Sequence, residues 1–176
     1  AEHGRAVAAV TRFTGDLTLA EDAVQDAFVD ALRAWPDQGE PANPGAWITT
    51  VARRRALDRI RREAARDGKE VAAVRCGDVL GAFEEEVPWV RDDELRLLFT
   101  CCHPALARDA QVAPTLRLVC GLTAVEIARA CLQAEPAVTR RLSRAKAKIR
   151  DAGIPFRSPP EHLLPERVPQ VTTCIY

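Results

Sequence analysis

GLTAVEIARACLQAEPAVTRRLSRAKAKIR, residues 121–150, reads as two helices joined by a tight turn. Thr123 and Glu126 have the T-x-x-E spacing of a capping box, in which each side chain satisfies a backbone N–H at a helix start. Ile127, Ala128 and Cys131 then recur at helical spacing. Pro136 suits the first position of a second helix, where its missing N–H costs nothing. In that helix Val138, Leu142, Ala145 and Ile149 form a narrow apolar stripe at i, i+4, i+7 and i+11. Arg140, Arg141, Arg144 and Lys148 fall on the other side. The stretch is a helix-turn-helix whose second helix is shaped for a DNA major groove. Ala134 stands where a capping side chain would serve better, so the start of that helix is weakly capped.

Working outward, the formal net charge of the 176 residues is zero, but the charges are sorted along the chain. Residues 1–50 hold eight acids against three Arg, and residues 67–94 nine acids against three bases. Residues 51–66 hold seven Arg against two acids, and residues 136–151 six bases against one acid. Such asymmetry implies separate surfaces for separate partners. The 47% hydrophobic content permits a core, and no apolar run approaches the roughly 18 residues of a membrane span. The six Cys lack a framework spacing and read as reduced thiols of a cytoplasmic protein. The chain contains no Met and is expected to be a piece of a longer one.

Periodicity predicts a helix over 2–14 and a stronger one over 19–35. The latter's apolar face is Ala20, Val24, Ala27, Phe28, Ala31, Leu32 and Trp35. Its other face presents Glu21, Asp22, Gln25, Asp26 and Asp30, which ordinary solvation would explain. Residues 36–44, PDQGEPANP, read as a loop ending in an Asn43 cap and Pro44. A long helix follows over 45–66, with Ile48, Ala52, Ala56 and Ile60 inward and Trp47, Arg54, Asp58, Arg61 and Arg62 outward. An aromatic among arginines suits phosphates and unstacked bases, while a Trp packed on a neighbouring helix beneath Arg stems fits equally. Residues 67–92 lose periodicity and read as an acidic linker, with a short helix near 79–83 anchored by Trp89 and Val90. Helices are expected from about residue 92 and over 107–119, the second kinked or started late by Pro114. Residues 154–176 hold five prolines and, beyond a turn of helix at Glu161–Leu164, predict an extended or loosely docked tail.

The expectation is an all-α chain of two small helical domains, 1–66 and 93–153, joined by the linker and followed by the tail. This plan resembles the bacterial RNA polymerase sigma factors of the sigma-70 family, in their extracytoplasmic-function (ECF) group. GDLTLAEDAVQDAFVDAL resembles the family's polymerase-binding helix, and GAWITTVARRRALDRIRRE its promoter-melting helix. The helix-turn-helix resembles the family's −35 reader. LRLLFTCCHPAL further resembles a subgroup with an extra C-terminal domain, and IPFRSPPEHLLPERV looks like the start of that extension.

The resemblance implies a transcription initiation factor whose region 2 recognises and melts the −10 element and whose region 4 binds the −35 element. Asp22, Gln25 and Asp26 would meet core RNA polymerase. Asn43, Trp47, Arg53, Arg54, Asp58 and Arg61 would contact the −10 element, and Arg140, Arg141, Ser143, Arg144 and Lys148 the −35 duplex. Besides polymerase and promoter DNA, an anti-sigma factor or the chain's own C-terminal domain stand as alternative regulators. No cofactor, metal or membrane partner is expected. A dimeric helix-turn-helix regulator is the rival reading, but it leaves the basic helix at 51–66 without a task. Cys101, Cys102 and His103 suggest a metal sensor or enzyme less well than packing, because adjacent residues diverge on a helix and no second ligand pair follows. The chain carries no glycine-rich phosphate loop, no G-x-S-x-G and no His–carboxylate pair, so no catalytic site is expected.

Overall fold

The computed structural model describes residues 2–67 and 90–175. Within them every regular element is helical. The first set is α1 (Glu2–Thr14), α2 (Leu17–Gln38) and α3 (Pro44–Asp67). The second is α4 (Val90–Cys101), α5 (Arg108–Pro114) running into a π-helical turn (Thr115–Val119), α6 (Ala124–Ala130), α7 (Glu135–Asp151), a 3-10 turn (Glu161–Leu163) and α8 (Leu164–Ile175). No helix among the described residues is long and apolar enough to cross a membrane. The expected short helix at 79–83 and the anchoring by Trp89 lie outside the described residues.

Local chemistry sets the boundaries. Gly15 takes φ +70° to end α1, and the Asp16 carboxylate accepts from the Thr18 and Leu19 amides at 2.8 and 3.0 Å to start α2. Asn43 Oδ1 accepts from the Ala46 amide at 3.0 Å, capping α3 above Pro44. The loop expected over 36–44 is shorter than that: α2 continues through Pro36 to Gln38 and stops at Gly39, φ +82°. Pro36 forfeits one i→i−4 bond near the helix end without stopping the last turn.

Pro114 does not delay its helix, but the α-helical turn of α5 ends at it. It is fully buried within α5 and has no N–H to offer the Ala110 carbonyl, and the chain then widens into the π turn. There the Cys120 amide reaches back to the Thr115 carbonyl at 3.3 Å.

The tail keeps the expected turn at its start but is more ordered beyond it. Residues 161–175 fold into a 3-10 turn and α8, with Pro165 in a first turn that needs no N–H and Pro169 costing one bond. Arg167 ties α8 down by donating to the Phe99 carbonyl at 3.0 Å, and Cys174 Sγ donates to Gln111 Oε1 at 3.6 Å.

The two sets share one apolar core. Ala6, Val7 and Val10 of α1 pack in one cluster with Ala20, Val24 and Ala27 of α2, and Ile48, Ala52 and Ala56 of α3. Leu97, Cys101, Leu118, Ile149 and Ile154 from the second set belong to the same cluster. A smaller cluster of Ala113, Ile127, Ala128, Val138 and Leu142 holds the helix-turn-helix together. Its cap is complete: Thr123 Oγ1 accepts from the Glu126 amide at 3.2 Å, and Glu126 Oε2 accepts from the Thr123 amide at 2.7 Å. Replacing Thr123 with Ala should cost about 1 kcal/mol. Chemical denaturation checks it, and an unchanged midpoint would mean that packing alone sets the start of α6.

Candidate nucleic-acid and polymerase interface

The second helix of the helix-turn-helix, α7, carries Val138, Leu142, Ala145 and Ile149 inward, all buried. At about 100° per residue, Arg140 and Arg144 then project directly away from that stripe. Both are exposed, as are Ser143 and Lys148. Ser143 donates its hydroxyl proton to the Thr139 carbonyl at 3.0 Å, which holds it against its own helix. Arg141 lies on one flank, half-buried, donating to Gln133 Oε1 at 3.0 Å and standing 3.8 Å from Asp109. Arg141, Arg144 and Lys148 line a surface cavity of about 360 Å³ beside residues 105–110. The −35 candidates therefore share one helix face, with Arg140, Arg144 and Lys148 exposed, Arg144 Nε donating to the Arg140 carbonyl at 3.3 Å, and Arg141 held by Gln133 and Asp109.

The −10 candidates are less uniform. Asn43, Arg54, Asp58 and Arg61 are exposed along α3 and its cap. Trp47 does not stand outward among them. It is half-buried, its ring edge-on to Trp35 of α2 at 5.5 Å and 65°, so the neighbouring helix holds it as an aromatic pair. Arg53 sits on the flank of the inward stripe and is half-buried. Burial and the neighbouring Arg12 lower its pKa from the ordinary value, with Asp93 of α4 acting in the other direction.

The acidic face of α2 is not simply solvated. Arg59 of α3 donates to Asp22 at 3.0 Å and to Asp26 at 2.6 Å, and Arg55 donates to Asp30 at 2.6 Å. These pairs stitch α2 to α3 while leaving Asp22 and Asp26 nearly half exposed. Gln25 donates to Glu21 Oε1 at 2.9 Å.

Glu21 itself departs from the sequence expectation. It is 3% exposed, and Arg117 Nε and Lys146 Nζ donate to its two oxygens at 2.7 and 2.5 Å. Burial alone would raise its pKa; the hydrogen bonds and charges of Lys146 and Arg117 outweigh that and hold it below the ordinary carboxylate value. Periodicity contained a partial signal, because Glu21 adjoins Ala20 beside the apolar stripe instead of lying opposite it. Arg117 and Lys146 were not singled out by pattern, and nothing local pairs them with residue 21.

The cysteines pack as small apolar groups. Cys101 and Cys102 are fully buried, and Cys102 Sγ lies 3.5 Å from the Thr115 hydroxyl. Burial pushes the Cys101 thiol well up and the Cys102 thiol up to about 12, so neither is a ready nucleophile. Their neighbour His103 faces outward, its Nδ1 accepting from the Ala105 amide at 3.2 Å.

The family model "Sigma-70 region 2" matches residues 1–66, which are α1 to α3. An uncharacterized protein of Rhizobium meliloti, R00370, is 38% identical over 98% of this chain and 42% of its own length. A probable ECF RNA polymerase sigma factor of Mycobacterium tuberculosis, SigI, is 31% identical over 81% of this chain and 50% of its own length. The chain thus spans half the length, or less, of the curated relatives it matches. No solved structure matches it. With a sigma-70 region 2 followed by a basic helix-turn-helix, the chain belongs to the sigma-70 family of RNA polymerase sigma factors, in its extracytoplasmic-function group.

Proposed function

We propose that the protein is a transcription initiation factor that binds core RNA polymerase and directs it to promoters. Residues 1–66 act as region 2, meeting polymerase through the α2 face with Asp22, Gln25 and Asp26. They recognise and melt the −10 element through Asn43, Arg53, Arg54, Asp58 and Arg61, with Trp47 available once its pairing with Trp35 is released. Residues 93–153 act as region 4, with Arg140, Arg144 and Lys148 on the −35 duplex and Arg141 and Ser143 at its edge. Residues 67–92 connect the two, and residues 154–176 lead toward a C-terminal extension. An anti-sigma factor and the chain's own C-terminal domain are the two candidate regulators. The observation that carries the reading is a region 2 match on α1 to α3 in the same chain as a capped helix-turn-helix with outward arginines.

A dimeric helix-turn-helix regulator would bind promoter duplex tightly by itself and need no polymerase. Transcription in vitro with core enzyme separates the two readings. The sigma reading expects promoter-specific transcripts only when core and this protein are combined, and no such transcript from any candidate promoter sinks it. Changing Asp22 and Asp26 together to Lys should weaken core association at least roughly tenfold, because opposite charge is replaced by like charge on the docking face. Duplex binding by the second set should not change. Half-exposed ion pairs contribute little to stability, so the variant should still fold. Unaltered core affinity would reduce Asp22 and Asp26 to partners of Arg59.

A further inference from the structure

Three cysteines come together in the second helical set. Cys101 closes α4 and Cys102 follows it, both fully buried, while Cys174 stands half-buried in the last turn of α8. Cys102 and Cys174 are hydrogen-bonded thiol to thiol. The groups around them fix that approach. Gln111 is buried, and its Nε2 donates to the His103 and Leu106 carbonyls, each at 3.0 Å. With both of those protons used, its Oε1 is turned to α8 and accepts from Cys174 Sγ at 3.6 Å. The buried Thr115 hydroxyl lies 3.5 Å from Cys102 Sγ. Arg167, also on α8, stands beside Cys102, and its buried Nε makes no hydrogen bond.

Packing as a small apolar group accounts for a buried cysteine. It does not account for a half-exposed thiol that a polar amide holds against a second thiol. Redox-responsive cysteines are reachable from solvent and stand next to another thiol that resolves them. Cys174 meets the first condition, and Cys102 supplies the second. Joining the two needs a sulfur movement of roughly 1.5–2 Å, which the last turn of a helix can provide.

We propose that Cys174 and Cys102 form a thiol-oxidation site, at which a hydroperoxide converts the pair to an intramolecular disulfide. The Cys174 thiolate attacks the outer peroxide oxygen, the O–O bond breaks, and water or an alcohol leaves. Cys174 is then a sulfenic acid. The Cys102 sulfur attacks the Cys174 sulfur, the S–O bond breaks, and the departing hydroxide takes the Cys102 proton to leave as water. In sum two electrons pass from the two thiols to the peroxide. Burial shields Cys102 from the oxidant, and contact with Cys174 replaces the encounter it cannot make in solution. The Arg167 guanidinium favours the thiolate that Cys102 must become. A dithiol reductant reverses the bond by exchange. The disulfide closes a loop over residues 102–174 that contains the helix-turn-helix and welds α8 to it, whichever partner that motif binds.

Treating the reduced full chain with hydrogen peroxide tests the site. Mass spectrometry of unreduced peptides should show a Cys102–Cys174 linkage that dithiothreitol removes. The oxidised chain should melt roughly 5–15 °C above the reduced one, as a closed loop of this length implies. Cys102→Ser leaves the oxidised Cys174 unresolved, so dimedone labelling at Cys174 should rise at least roughly fivefold over wild type. Cys174→Ser should give no linkage to Cys102. A linkage that uses Cys101 or Cys120 instead overturns the assignment. So does oxidation of Cys174 in wild type without any linkage, or equal dimedone labelling of wild type and Cys102→Ser. The linkage map of the unmutated chain requires no variant to fold and decides the question by itself.

Discussion

Replacing Glu21 with Ala should lower the stability of the chain by about 2–4 kcal/mol, as much as truncating a buried aliphatic side chain of the shared core. Glu21 is 3% exposed, and its two cationic partners are each 18% exposed. Removing the carboxylate leaves Arg117 and Lys146 facing each other with little water and no counter-charge. Loss of one partner of a fully buried pair costs about 3–5 kcal/mol. Here Arg117 and Lys146 are each 18% exposed and keep part of their hydration, so the loss is smaller. Thermal melting should fall by roughly 5–15 °C for a chain of this size. Glu21→Gln keeps the shape but not the charge and should recover only part of the loss.

The same residue sets a pH dependence. Its pKa in the folded chain lies below the ordinary 4.5 of a glutamate because Lys146 and Arg117 outweigh burial. The stability it contributes is therefore fully present above about pH 4.5 and is lost as pH falls through the lower folded value. Wild type should lose stability steeply below pH 4.5, and Glu21→Ala should show a shallower loss over that range. Identical pH profiles would show that the triad contributes no net electrostatic stabilisation.

The sequence was explicit wherever one helix decides its own fate. The inward stripe of α7, most of those of α2 and α3, the caps at Asn43 and Thr123, and the all-helical class follow from spacing and capping chemistry within a few residues, although Leu32 of the α2 stripe stands 76% exposed. What escaped it depends on two segments meeting. Trp47 projects outward by period, but Trp35 reaches it from the adjacent helix. Glu21 looks solvent-facing until Arg117 and Lys146 arrive from 96 and 125 residues further on. Gly4 is an indifferent helix residue until Val119 lies against it. The proline content of residues 154–176 argued against order, yet Pro165 falls where a helix start tolerates it and Arg167 finds the Phe99 carbonyl. Local rules predict elements, and docking then reassigns which of their polar residues face water.

Docking also explains how a chain of zero net charge can carry strongly basic helices. Arg55 and Arg59 are matched by the acids of α2, and Lys146 and Arg117 by Glu21. Among the described residues this leaves a group of exposed basic side chains on α7 for which no ion pair is found. On α7 those are Arg140, Arg144 and Lys148, while Arg141 and Lys146 on the two flanks are engaged by Asp109 and Glu21. A duplex would meet the outward face with little competition from the protein's own carboxylates.

Arg140→Ala with Arg144→Ala should accordingly weaken −35 duplex binding by about 2–4 kcal/mol, since one base-contacting side chain is worth about 1–3 kcal/mol. That is roughly a 30–1,000-fold loss in affinity. Both side chains lie opposite the buried stripe, so folding should be unaffected, and circular dichroism melts should coincide with wild type. Salt titration then divides the effect between readout and charge. A guanidinium that touches only phosphate reduces the salt slope by about one and weakens all sequences alike, whereas one that reads a base edge relaxes preference at its own position. Arg150, exposed and paired with Asp151 at 3.2 Å in the last turn of α7, is the charge-matched control, and Arg150→Ala should alter affinity far less than the double variant and leave sequence preference unchanged. Equal losses in the control and the double variant would mean that α7 attracts DNA by general charge alone, and the outward face would lose its claim to read the −35 element.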